Sequence, residues 1–264
     1  MPETVLMIHG MWASGALWEK WANYFEDRGF HCLRANLRHH GGDPAAPAHP
    51  ELGTTSLLDY AQDLEEEIRR LESPPIIIGH SMGGLLAQML GARGLARMLV
   101  LLTPASPRGI MAIKPSVLRS FWSGMTTWAF WRKALRQTYG EAVYSMMHLL
   151  TPEEQREIYL SFGFESGRAA AEIGFWLFDP QRASQVDAKA ITCPTLVVGA
   201  AEDRICPVSV VRQVAKKYRH VATYQEFPGH AHWVVGEPGW EDIAGFCSDW
   251  LKERLREEQA GSVA

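Results

Sequence analysis

The sequence predicts an α/β protein with a mostly parallel central sheet, helices on both faces, and an inserted helical unit. Three observations carry this. Short β-rich runs alternate with amphipathic segments along the chain. The middle runs, IIIG, MLVLL and TLVVG, are apolar without alternation, as strands covered on both faces must be. Between residues 108 and 190 that rhythm stops, and 13 Phe, Trp and Tyr residues, about half of the chain's total, fall there. The expected division is therefore a main domain at 1–107 and 191–264 and a helical cap at 108–190.

Taken in order, strands are expected at 5–8, 31–35, 76–78, 98–102, 195–198 and 223–227. Helices are expected at 16–28, 57–71, 85–93, 208–218 and 240–255, where apolar residues recur every three or four positions. Inside the insert, Thr151-Pro152-Glu153-Glu154 reads as a helix start, with Thr to cap, Pro in the first turn and Glu three residues on. Most of the insert's aromatics should form its own small core. Trp122, Trp128 and Phe175 are the candidates for facing the main domain and substrate. The tail after Leu255 should fray.

The 264 residues, 47% hydrophobic and 21% charged, are enough for a buried core. Lys and Arg number 26 against 30 Asp and Glu, a net charge of -4. That leaves no basic excess for a nucleic-acid backbone, so nucleic acid is not expected as a partner. The longest apolar candidate is interrupted by Arg93 and Arg97, too short for a transmembrane helix, so no integral membrane association is expected. The first residues lack a basic leader and a small-residue cleavage site, and read as mature protein. Cys32, Cys193, Cys206 and Cys247 form no C-x-x-C pair and are expected to be reduced thiols of a cytoplasmic protein. A Cys193–Cys206 disulfide is the alternative.

The strongest chemical signal is Gly79-His80-Ser81-Met82-Gly83-Gly84, between an apolar strand and a helical run. It fits G-x-S-x-G in the context that pattern requires, with glycines permitting a sharp turn and Ser81 projecting at the sheet edge ahead of a helix N-terminus. A serine hydroxyl needs a base, and the base an orienting acid. Downstream, the loop Ala200-Ala201-Glu202-Asp203-Arg204 offers Asp203, with Glu202 as the fallback acid. The loop Pro228-Gly229-His230-Ala231-His232 offers two histidines that spacing alone does not separate. Both loops follow strands and lie at the edge where Ser81 lies. Paired histidines also raise a metal site, perhaps with His39 and His40, but no carboxylate or cysteine sits at supporting spacing, and no metal is expected. His39 and His40 read as part of a polar surface loop.

Together these motifs, with His9-Gly10-Met11-Trp12 after the first strand, make the sequence resemble the α/β-hydrolase fold superfamily, in its capped, lipase-like branch. The resemblance covers nearly the whole chain. It implies that His232 takes the catalytic position and His230 a variable one. It also implies that the backbone N–H groups of Met11 and Met82 form an oxyanion hole and that Trp12 flanks the entrance. The expectation is a cofactor-free serine hydrolase acting with water on an ester of a small, largely apolar molecule. The same triad also serves lactonases, C–C bond hydrolases and cofactor-free perhydrolases. A slow-turnover ligand receptor on this scaffold is the alternative of a different class.

Overall fold

The structure, a computed structural model, describes residues 2–263. Its centre is a six-stranded, wholly parallel sheet formed by β1 (Glu3–Ile8), β2 (Phe30–Arg34), β3 (Ile76–His80), β4 (Met98–Leu102), β7 (Thr195–Ala200) and β8 (Ala222–Phe227). The spatial order is β2-β1-β3-β4-β7-β8. Every residue of β3, β4 and β7 is buried, which explains why these runs read as unbroken apolar sequence: both faces are covered by helices. β8, at an edge, is only half-buried.

The main-domain helices are α1 (Glu19–Glu26), α2 (Leu57–Ile68), α3 (Met82–Ala92), α9 (Val208–Lys217) and α10 (Trp240–Val263). α1 meets α10 through Trp21 and Trp240, with ring centroids 6.2 Å apart. Ser56 caps α2 in a reciprocal box with Asp59. The tail expected to fray after Leu255 is instead helical through Val263, and Arg254 pairs with Glu257 on it. Among the described residues no helix is long and apolar enough to cross a membrane.

Between β4 and β7 the chain forms α4 (Pro115–Ser120), α5 (Trp122–Met125), α6 (Tyr139–Ala142), α7 (Pro152–Leu160) and α8 (Gly167–Gly174). Thr151 and Glu154 close the expected capping box on α7. This insert also holds a short antiparallel pair, β5 (Ala134–Leu135) with β6 (Glu165–Ser166), which sequence reasoning missed because two-residue strands have no readable alternation. β6 fastens the insert to the main domain. Tyr60 donates to Glu165 (2.8 Å), and Ser166 Oγ donates to the Thr55 carbonyl (2.5 Å). Ser56 Oγ and the Leu57 N–H donate to Glu172 of α8.

Candidate active site

Ser81 sits between the end of β3 and the start of α3 with φ 55° and ψ −119°. For a residue with a side chain this conformation costs on the order of 1–3 kcal/mol. The surroundings hold it: the Ser81 N–H donates to the Leu102 carbonyl (3.0 Å), and its own carbonyl accepts from Gly84 and Ala105 (both 2.9 Å). The flanking glycines permit the sharp turn by close approach and not by positive φ. Gly79 and Gly83 lack positive φ, but a Cβ on Gly79 would overlap the Gly83 carbonyl and one on Gly83 the Ile8 carbonyl. They let β3, α3 and β1 press together beneath the serine.

Asp203, buried in the loop after β7, uses both oxygens. Oδ1 accepts the N–H groups of Ile205 and Cys206 (both 2.8 Å), and Oδ2 bonds His232 Nδ1 at 2.7 Å. This leaves His232 Nε2 as the uncommitted ring nitrogen. His80 Nε2 donates to the His232 carbonyl (2.9 Å), and the two rings lie 4.7 Å apart. Burial, then the neighbouring His232, holds the His80 pKa well below the usual histidine range, so His80 is a neutral brace. Glu202, the fallback acid, is exposed.

The two loop histidines are thereby separated. His230 Nδ1 bonds Glu237 at 2.9 Å, and Glu237 also accepts the Ala231 N–H at 3.0 and 3.1 Å. Burial pushes the Glu237 carboxyl up, with the Ala231 N–H and His230 pulling the other way. Sequence reasoning missed Glu237, whose signal was a lone acid in the otherwise apolar VVGEPGW. It missed Cys206 as well. That thiol has the Ser81 side chain as a hydrogen-bond partner, and its sulfur lies within 4.8 Å of donor atoms of Asp203 and His232. Burial, then the Asp203 charge, pushes the thiol well up, so it stays neutral. All four cysteines are free.

The loop after β1 lies against the serine: a Cβ on Gly10 would stand 2.8 Å from Ser81 Cβ. His9 fixes this loop. Its Nε2 accepts the Leu37 N–H (3.2 Å), so Nδ1 carries the proton and donates to the Gly10 carbonyl (2.8 Å). Burial, then His40, lowers the His9 pKa to about 3. In a trans peptide C=O and N–H point in opposite directions, so pinning the Gly10 carbonyl orients the Met11 N–H. The Met82 N–H opens α3 and has no helical acceptor.

Above Ser81 lies an apolar cavity. Met11, Met82, Ile205 and Val210 line it from the main domain, and Ile113, Leu118, Phe121, Met125, Phe130 and Phe175 from the insert. Phe175 lines this cavity. Trp122 and Trp128 do not: they are 62% and 84% exposed, outside the cavity. α5 is a single turn, so Phe121 and Met125, four apart, point inward together and Trp122 points away. Trp12, buried with φ 64°, packs against Phe121 beside the cavity (5.7 Å).

His40 is no surface residue. Its side chain is 3% exposed and stands 3.3 Å from Glu165 Oε2. Burial lowers its pKa, but the charge and hydrogen bond of Glu165 and the Arg38 and Leu37 backbone outweigh this and raise it. His39 instead stacks on His49 (3.9 Å, 11°), near Glu51. This trio has donor atoms within 4.8 Å of one another. Face-to-face imidazoles aim their in-plane lone pairs side by side, so the trio does not converge on an ion as it stands. In the buried trio of Asp203, Cys206 and His232, the carboxylate is already committed.

The sequence pattern of the Alpha/beta hydrolase family matches residues 5–244. The chain belongs to the alpha/beta hydrolase family. It is 28% identical over 195 residues to a monoacylglycerol lipase of Mycolicibacterium smegmatis, a match spanning 69% of this chain and 63% of the relative. Among solved structures, a monoacylglycerol lipase from Paleococcus ferrophilus superposes with a TM-score of 0.70 at 21% identity, covering 95% of each chain. A pyrethroid hydrolase from Sphingobium faniae does so with 0.70 at 17% identity, covering 95% of this hydrolase and 97% of its own chain. At these identities the superpositions speak for the fold.

Proposed function

We propose that this hydrolase cleaves carboxylic esters of small, largely apolar substrates through an acyl-enzyme. The observation that carries the reading is Ser81, held strained at the floor of an apolar cavity beside an Asp203–His232 pair bonded at 2.7 Å. His232 Nε2 takes the Ser81 proton as Oγ attacks the ester carbonyl, and Asp203 keeps the imidazole oriented and stabilises its charged form. The Met11 and Met82 N–H groups receive the developing oxyanion, a contribution worth roughly two to three orders of magnitude per donor. His232 then protonates the leaving alcohol, activates a water against the acyl carbonyl, and returns the proton to Ser81. The names of the relatives, monoacylglycerol lipase and pyrethroid hydrolase, are those of ester-cleaving enzymes and support this class.

A panel of p-nitrophenyl esters of increasing acyl length tests it. kcat/KM should rise by at most about fourfold per methylene, the value of about 0.8 kcal/mol for a fully buried CH2, and fall once the cavity is full. Ser81→Ala should abolish both turnover and labelling by a fluorophosphonate while the circular dichroism spectrum is kept. Turnover surviving in Ser81→Ala would end the serine mechanism, and indifference to acyl length would end the apolar-substrate reading.

A further inference from the structure

The first 33 residues of the insert contain no acid. From residue 108 to residue 140 there is no Asp or Glu, but there are six Lys and Arg residues, in a chain whose net charge is -4. Arg108 and Arg136 are held on backbone carbonyls and aromatic rings, and Arg119 stacks on Tyr144. Lys114, Arg132 and Lys133 are exposed, with no carboxylate partner among the described residues.

The insert displays large apolar side chains to solvent: Trp131, 45% exposed, and Phe178, 82% exposed, line one groove, and Trp128, 84% exposed, stands three residues before Trp131 in the chain. Single exposed residues are ordinary, but a cluster marks a contact surface. The cluster reaches the rim of the Ser81 cavity, since Ile113, Leu118 and Phe175 line that cavity and are also exposed. Phe175 is shared with a neighbouring groove walled by Trp131 and Phe178. Two acids line this groove, but Glu172 is engaged by Ser56 and Leu57 and Asp179 by the Gln181 and Ala183 N–H groups. Exposed Trp and Phe among unpaired cations match the boundary of an anionic bilayer, where aromatic bodies enter the headgroup layer and Lys and Arg meet phosphate. A second copy of this chain would bring the same cations to the surface and be repelled.

We propose that residues 108–140, with the turn carrying Phe175 and Phe178, form a docking surface for an anionic phospholipid bilayer, which places the cavity rim at the lipid phase. Delivery of substrate there rests on the ester-hydrolase reading; the binding itself does not. The test is co-sedimentation with vesicles of phosphatidylcholine alone and with about 30 mol% phosphatidylglycerol. The protein should partition onto the anionic vesicles, hardly onto the neutral ones, and less as salt is raised. Each basic residue near such a surface contributes about fivefold, so the K114Q/R132Q/K133Q variant should lose roughly 100-fold in partitioning. Trp128→Ser with Phe178→Ser should weaken binding without changing its salt dependence, and both variants should cleave a soluble ester as the parent does. Absent vesicle binding, equal binding to both vesicles, unchanged binding of the triple variant, or a dimer dissolved by the aromatic variant would each overturn the proposal. Vesicle binding by a protein that cleaves no ester would leave the docking surface standing and remove the catalytic reading instead.

Discussion

Acidification from about pH 7.5 to about pH 5.5 should destabilise this protein through two histidines that never leave its interior. His9 is buried with its pKa lowered to about 3, and His80 is held well below the ordinary range. In the unfolded chain both titrate near 6.5, so below that value the unfolded state binds more protons. Their contribution is therefore complete above about pH 6.5 and is lost as pH falls. At pH 5.5 His9 costs about 1.4 kcal/mol and His80 at most the same, so at most about 2.8 kcal/mol together. His40 acts in the opposite sense: its raised pKa gives stability that is present below the unfolded value and lost as pH rises through the folded one. His39 and His148, lowered chiefly by burial, add to the loss, so the decisive measurement is the difference between the parent and a variant lacking one buried histidine. Urea unfolding followed by tryptophan fluorescence at both pH values measures it. His80→Gln removes one of the two groups, and its stability difference between the two pH values should be smaller than that of the parent, by at most about 1.4 kcal/mol. Equal stability of the parent at both pH values, or full pH dependence retained in His80→Gln, would refute the reasoning.

Glu165→Ala strips His40 and Tyr60 of their shared buried partner and should cost about 3–5 kcal/mol in urea unfolding. Gly83→Ala drives a methyl into the Ile8 carbonyl and should cost about 1–3 kcal/mol or more; Gly174→Ala, with open space around its Cβ position, should be near neutral in the same assay. His232→Ala should be inactive on p-nitrophenyl esters while His230→Ala, which loses only the bond to Glu237, keeps a substantial fraction of turnover.

The readable parts of this sequence share one property: their signal is local. Strands β3, β4 and β7 announce themselves because burial on both faces leaves an apolar run. Ser81, Asp203 and His232 stand out because each follows a strand in a loop whose neighbours fit a pattern. His40 was read as a surface residue because its partner Glu165 lies 125 positions away in sequence, and no period links a loop to a two-residue strand. Trp122 and Trp128 were set facing substrate on composition alone. Composition cannot orient a side chain on a one-turn helix, where four residues give no stripe to read. The glycines of the elbow mark the sharp turn in the sequence, but that β1 also crowds against Gly83 is a tertiary fact no local pattern carries.

The attachment of the insert is lopsided, and this bears on how substrate choice and chemistry are separated. β6 and α8 are fastened to the main domain by buried carboxylates: Glu165 on Tyr60 and His40, and Glu172 on Ser56 and Leu57. Among the described residues α4 and α5 have no such carboxylate tie, and they present Leu118, Phe121 and Met125 to the cavity through helices of six and four residues. The fastened part also reaches the proposed oxyanion loop, because the His40 ring lies 5.1 Å from His9, which pins the Gly10 carbonyl. On the proposed ester hydrolysis, substitutions on α4 and α5 should alter the fit of an apolar chain while the Met11 amide stays fixed, and their effect should fall on acyl-length preference. A substitution at Glu165 loosens the support behind His9 and acts on turnover of every substrate alike. Backbone amides fixed by buried polar groups are costly to move, whereas apolar walls exchange one side chain for another of similar volume at about 1.5 kcal/mol or less. In this chain the two kinds of residue lie on separate elements of the same insert.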